Sequence, residues 1–374
     1  MNPIHNCFDV RFMRMALGLA RRGLGRVSPN PAVGCVLVKN NQVIGRGWTQ
    51  DGGRPHAETE ALRRAGSEAM GSSAYVTLEP CAHQGETGPC ASALIKAGIK
   101  KVVVALLDPD PRVNGGGIKL LQDAGVEVSS GVCQEQAARI NSGFLSRVKT
   151  GLPLVTLKIA SSLDSCISTV TGKSQWITGD GSRAFGHFLR SQNDAILIGS
   201  GTAVDDNPSL TCRLRGLEKT SPVRVVLDGK LRVPITHELV KTAEEVPVIF
   251  FTSKNALLKK KEHVLVLKKF GVHIIAVNED GAGKLQIMEV LRALGNEGVT
   301  RLLVEGGASV ATSLLSREQV DHIFWFRSAS IIGGDGTPSI RGFGVNNLSD
   351  SVAFVRTSFR QVGNDVIEEL ERRR

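Results

Sequence analysis

At 374 residues the chain is long for a single domain, and long enough to bury two cores without disulfide staples. Its 41% hydrophobic and 22% charged content is that of a globular protein rather than a disordered or fibrous one, and no apolar run approaches the roughly 18–20 residues of a membrane span. The net charge of +10 divides as +6 over residues 1–150 and +4 over the rest, which suits an anionic small substrate such as a sugar phosphate; with one Tyr and three Trp there are few platforms for stacking bases, so nucleic acid is not an expected partner.

In chain order, Arg11, Arg14, Arg21 and Arg22 surround the short apolar stretch 15–20, too brief and interrupted for a secretory signal. Periodicity predicts helices over 9–22, 58–65, 90–97 and 118–124, alternating with strands at 32–39, 73–78, 101–106 and 126–130. Gly66, Gly98 and Gly125 fall where helix C-caps belong. This is an α/β layer sandwich of about 145 residues. Thr150-Gly151-Leu152-Pro153 then marks a boundary, giving expected domains of 1–149 and 150–374. Beyond it, strands are predicted at 154–160, 195–199, 223–228, 246–252, 272–277 and 301–304, and helices at 182–192, 284–294 and 309–315. Residues 323–329 and 352–370 read as antiparallel strands at the edge of a second α/β sheet. Lys259-Lys260-Lys261 reads as a solvated helix end. Seven cysteines at irregular spacing read as reduced thiols, so the expected compartment is the cytoplasm.

The chemistry concentrates in His56-Ala57-Glu58, Pro80-Cys81 and Cys90. One imidazole and two thiolates are three ligands for a tetrahedral zinc ion, leaving the fourth position open to water, as in catalytic rather than structural sites. Glu58, two residues from the histidine, is placed to reach that water without ligating the metal and to carry its proton to a leaving amine. Cys90 follows Pro89 at a helix start, where the thiolate is favoured. Eight residues separate the two cysteines, so the intervening segment must loop out. A structural zinc module would need a fourth ligand and would have no use for Glu58. A nucleoside or transfer-RNA deaminase would share the zinc chemistry and leave the last 224 residues unexplained. In the second half, Glu305-Gly306-Gly307 after a strand and before a helix could admit a pyrophosphate, while the absence of G-x-G-x-x-G disfavours a standard Rossmann site.

Longer motifs carry a resemblance: Ser28-Pro29-Asn30-Pro31-Ala32-Val33-Gly34, His56-Ala57-Glu58, the run from Leu78-Glu79-Pro80-Cys81 to Gly88-Pro89-Cys90, Asp108-Pro109-Asp110-Pro111, Lys158-Ile159-Ala160-Ser161-Ser162-Leu163-Asp164, Ser174-Gln175-Trp176-Ile177-Thr178, Asp205-Asp206-Asn207-Pro208-Ser209-Leu210-Thr211 and Val304-Glu305-Gly306-Gly307. In this order, over nearly the whole chain, the sequence resembles the bifunctional deaminase–reductases of riboflavin biosynthesis. The resemblance implies a cytidine-deaminase-like N-terminal α/β/α sandwich and a C-terminal domain similar to dihydrofolate reductase. It implies zinc-dependent removal of the 2-amino group of 2,5-diamino-6-(5-phosphoribosylamino)pyrimidin-4-one, then NADPH-dependent reduction of the ribosyl group to ribityl.

Carried over by motif, His56, Cys81 and Cys90 would hold zinc, Glu58 would shuttle the proton, and Asn30, His83 and Asp108 would line the pyrimidine site. Ala160, Trp176, Thr202, Asp206 and the turn and helix Gly307, Ala308, Ser309, Val310, Ala311, Thr312 and Ser313 would contact NADPH. Ser174, Arg190, Leu210, Arg213 and Glu305 would hold the second substrate, with Lys158 as the catalytic candidate. Partners would be phosphorylated pyrimidines and, at most, further copies of the chain. The sequence departs from the family at three positions: Glu86 stands for a basic residue, Gly88 for a proline, and Ser165 for the glycine after Leu-Asp.

Overall fold

The structure, a computed structural model, describes residues 7–82, 88–111 and 113–373. The chain divides after Leu152 into two compact units, 1–152 and 153–374. Among the described residues no helix is long and apolar enough to cross a membrane.

The first unit runs α1 (Cys7–Ala20), β1 (Gly34–Lys39), β2 (Gln42–Trp48), α2 (Ala57–Ala65), β3 (Ser73–Val76), α3 (Cys90–Lys96), β4 (Lys101–Val104), α4 (Gly116–Asp123), β5 (Glu127–Ser130), α5 (Gln134–Ile140) and α6 (Ser142–Thr150). Its sheet has the order β2-β1-β3-β4-β5, with β1 antiparallel to both neighbours and β3, β4 and β5 parallel. Alternation along β1 divides the core. Cys35 and Leu37 join Ala61, Leu94 and Leu121 on one face, while Val36 and Val38 join Phe12, Met13 and Ala137 on the other. Both faces are covered, so the strands read as near-continuous apolar runs.

Strand β2 and helices α5 and α6 were not predicted. In β2 the alternation is broken by Gly45 and Gly47, and those glycines are where α2 lies against the sheet. A Cβ on Gly47 would stand 2.0 Å from the carbonyl oxygen of Ala57. The start of α2, which carries Glu58, is therefore seated directly on the strand.

The second unit runs β6 (Leu154–Ser161), β7 (Cys166–Ser168), α7 (Asp180–Ser191), β8 (Ala195–Gly199), α8 (Ser200–Asp205), β9 (Val223–Leu227), α9 (Glu238–Lys241), β10 (Val248–Ser253), α10 (Lys254–Lys259), α11 (Lys261–Lys269), β11 (His273–Val277), α12 (Ile287–Asn296), β12 (Arg301–Val304), α13 (Ala308–Leu315), β13 (His322–Arg327), β14 (Thr337–Pro338), β15 (Phe354–Val362) and β16 (Asp365–Arg372). Nine strands form one sheet in the order β11-β10-β9-β8-β12-β6-β13-β16-β15. It is parallel up to β13, and the hairpin β15–β16 closes it antiparallel, which is the expected edge. The core over one face joins Ile196, Val226, Phe250 and Leu303 to Leu189 of α7 and Leu267 of α11. The lysine run 259–261 lies at the junction of α10 and α11, with the Lys260 ammonium donating to the Leu231 carbonyl at 2.8 Å.

Candidate active sites

In the first unit, three local structures converge. His56 is the extended residue preceding α2, Cys90 opens α3 behind Pro89, and Cys81 follows β3. His56 Nδ1 lies 3.3 Å from Cys90 Sγ and 3.7 Å from Cys81 Sγ, and the three donor atoms lie within 4.8 Å of one another. The Cys90 backbone N–H donates to Cys81 Sγ at 3.3 Å. Hydrogen bonds from Cys90 and His56 hold the Cys81 thiol at about 4, far below its ordinary range, so its sulfur is a thiolate. Cys90 is pushed up because it donates to Cys81 and is buried. An imidazole and two sulfurs at these separations, one sulfur already anionic, fit a zinc ion. Glu58, 3% exposed in the first turn of α2, has its carboxyl pushed up to about 7, chiefly by burial, against the pull of His56.

His56, Cys81 and Glu58 open on a cavity of about 310 Å³ that also takes in Asn30, Asp108, Arg54 and Arg147. The Pro29–Gly34 turn is pinned from outside. Thr49 Oγ1 donates to the Pro31 carbonyl and accepts from the Val33 N–H, and Asn141 bonds both backbone groups of Ala32. Asn30 itself donates to the Gly53 carbonyl at 3.2 Å. His83 and Glu86 lie outside the described residues. Arg54 and Arg147 were not singled out from sequence; only the adjacency of Arg54 to Pro55-His56 signalled it.

In the second unit a cavity of about 470 Å³ collects Lys158, Ala160, Ser174, Trp176, Arg190, Thr202, Asp206, Leu210, Arg213, Glu305 and the start of α13. Arg190 donates from Nε and Nη2 to the two oxygens of Glu305, and from Nη1 to the Thr211 carbonyl at 2.9 Å. Its guanidinium is thus held by protein groups at the cavity wall, and Arg213 donates to Ser209 Oγ at 2.6 Å. The Lys158 ammonium sits 3.7 Å from Glu305 and over the Phe326 ring. Burial would raise the Glu305 carboxyl, but Arg190 and Lys158 hold it down at about 2. Arg183, not predicted, lines this cavity with its guanidinium over the Trp176 ring, 4.6 Å from the centroid.

Helix α13 contributes to two cavities. Ala308 and Ala311 line the one just described, while Ser309, Val310 and Ser313 line another of about 410 Å³ with Lys230, Arg232 and Lys284. Thr312 lines neither; its hydroxyl donates to the Ala308 carbonyl and accepts from the Arg341 N–H. Gly306 packs so tightly on β8 that a Cβ would stand 2.6 Å from Ile198 Cα, and Gly307 takes φ +64°.

Residues 153–367 match the model of the RibD C-terminal domain, and residues 7–106 match that of the cytidine and deoxycytidylate deaminase zinc-binding region. The chain is 42% identical over 356 residues to the riboflavin biosynthesis protein RibD of Bacillus amyloliquefaciens, covering 95% of this chain and 94% of that one. It belongs to the RibD family. To the RibD of Escherichia coli K12 it is 37% identical, covering 96% and 98% of the two chains. Among solved structures it is similar to Acinetobacter baumannii RibD (TM-score 0.88, 35% identity, 98% and 99% covered). A Thermotoga maritima diaminohydroxyphosphoribosylaminopyrimidine deaminase/5-amino-6-(5-phosphoribosylamino)uracil reductase is also similar (TM-score 0.85, 34% identity, 98% and 99% covered). As a RibD protein the chain is an enzyme of riboflavin biosynthesis, joining a zinc-dependent deaminase to an NADPH-dependent reductase.

Proposed function

We propose that the first unit hydrolyses the 2-amino group of 2,5-diamino-6-(5-phosphoribosylamino)pyrimidin-4-one, and that the second reduces the resulting 5-amino-6-(5-phosphoribosylamino)uracil to its ribityl counterpart. What carries this reading is the gathering of His56, Cys81 and Cys90 around one point, with Glu58 buried in the same cavity. A zinc ion held by those three donors would supply Lewis-acid activation of water there. The chain's own part is proton management and placement. A carboxyl poised at about 7 can take a proton from water and return it to the amino nitrogen, which leaves as ammonia while the carbon keeps the oxygen. Asn30 and Asp108, on opposite loops of the cavity, would orient the ring.

In the reductase, NADPH would supply the hydride. Residues of the larger cavity, the first turn of α13 with its backbone N–H groups, and Lys230, Arg232 and Lys284 of the neighbouring cavity would hold the cofactor. Among the described residues no carboxylate lines the cavity of Lys230, Arg232 and Lys284, so these three side chains would favour the extra phosphate that distinguishes NADPH from NADH. Lys158, aimed by Glu305, would serve as the proton donor to the sugar ring oxygen.

The test is coupled turnover of the authentic pyrimidine phosphate with metal analysis. The expected result is one zinc per chain, one ammonia released per pyrimidine, and one NADPH consumed per deaminated product. NADPH oxidation independent of that product, or no ammonia from metal-loaded protein, would refute the reading.

A further inference from the structure

Glu79 has no part in the chemistry described above, yet its surroundings are those of a working group. Its side chain is 4% exposed, and no ion pair to it is found among the described residues. Instead both oxygens accept backbone N–H donors from one distant segment. Oε2 takes Asp108 at 3.3 Å and Gly115 at 3.0 Å; Oε1 takes Gly117 at 3.0 Å and Ile118 at 3.2 Å. The second pair belongs to the first turn of α4, where a carboxylate satisfies N–H groups that have no partner within the helix. The contact is close as well as polar: a Cβ on Gly117 would stand 1.9 Å from the carbonyl oxygen of Pro80. Asp108 and residues 115–118 are therefore clamped flush on Glu79-Pro80-Cys81. Asp108, whose Oδ1 accepts from the Asp110 N–H at 2.9 Å, is carried into the deaminase cavity at one end of this clamp, and Cys81 at the other.

We infer that Glu79 is a positioning residue of the deaminase: it sets the distance between the Asp108 loop, which meets the pyrimidine, and the strand end bearing Cys81. The inference rests on the deaminase reading. The electrostatic logic is specific to a carboxylate. Four N–H donors need four acceptor sites, and a glutamine in the same place would turn an NH₂ donor onto two of them, driving the loop outward. A shift near 1 Å in a substrate-orienting loop is enough to cost one to two orders of magnitude.

The test uses full-length protein, so that the reductase of the same chain reports on integrity. Glu79→Gln should keep one zinc per chain and the wild-type reductase rate, and should raise the deaminase KM about tenfold or more with a smaller change in kcat. In an Asp108→Asn background it should add little, because both changes act through the same loop. Ile118→Pro, which deletes one N–H of the clamp in the first turn of α4, where no bond within the helix is lost, should raise the same KM by a smaller factor. Unchanged deaminase constants, loss of zinc from a folded variant, or effects of Glu79→Gln and Asp108→Asn that simply multiply would overturn the inference. Should Glu79→Gln not fold, Ile118→Pro decides alone, an unchanged KM counting against the proposal. Absence of deamination in the wild type would instead refute the deaminase reading itself.

Discussion

Arg190 grips Glu305 through two parallel N–H donors, Nε to Oε1 at 2.8 Å and Nη2 to Oε2 at 2.9 Å. Lysine cannot reproduce this fork. Arg190→Lys is therefore expected to lose about 1–3 kcal/mol of stability in the second unit and to lower the reductase kcat/KM about tenfold or more. Ammonia release should be untouched. Separate assays of the two reactions on one preparation check this.

Beside this pair, His187 Nδ1 accepts the Arg213 backbone N–H at 3.3 Å, and its pKa is pulled down to about 4 by burial, then by Arg190 and Arg213. A base with a depressed folded-state pKa stays neutral in the fold while the unfolded chain takes up a proton. It contributes stability above pH 6.5 that is lost as pH falls toward 4. Glu305, held at about 2 from an ordinary 4.5, adds a second loss below pH 4.5. Denaturation midpoints of the second unit should decline from pH 6.5 downward, and His187→Gln should remove the upper part of that decline. An identical pH profile in the variant would contradict the assignment.

Lys230 and Arg232 line the cavity beside Ser309 and Ser313, with Arg232 donating to Ser200 Oγ at 2.7 Å. Replacing both by alanine should raise the KM for NADPH about tenfold or more, as charge-assisted bonds to a phosphate are lost. The KM for NADH should hardly move. Steady-state kinetics with each cofactor measure the ratio.

Ser165 adopts φ +67°, a left-handed conformation that costs an ordinary side chain about 1–2 kcal/mol. This is the position where the family resemblance leads one to expect glycine. Ser165→Gly should stabilise the second unit by about 0.5–1 kcal/mol after the entropic cost of glycine, a rise in Tm of about 1–4 °C. Ser165→Val should move Tm the other way.

The strands were legible where burial is two-sided. Ala195–Gly199 and Arg301–Val304 are apolar runs whose predicted limits coincide with the observed ones. Gln42–Trp48 was not legible, because Gly45 and Gly47 are selected for close approach by α2 rather than for strand propensity. Short helices such as Ser200–Asp205 and Lys254–Lys259 are too brief to show a period. The metal cluster was readable because its chemistry demands particular residue types. Residues that serve it indirectly, such as Thr49 and Asn141 behind the Pro29–Gly34 turn, were not, since their role exists only once distant segments meet. Arg190 and Glu305 were both named through the resemblance, but their pairing exists only through the fold.

The account stands most directly on Glu58→Gln, in which the carboxyl is replaced at constant size beside intact ligands. Zinc content by metal analysis and ammonia release from the pyrimidine phosphate are measured on the same sample. The expected result is one zinc per chain, ammonia release reduced about 10²–10⁴-fold, and an unaltered reductase rate on the deaminated product. Ammonia release at the wild-type rate from zinc-loaded Glu58→Gln would contradict it.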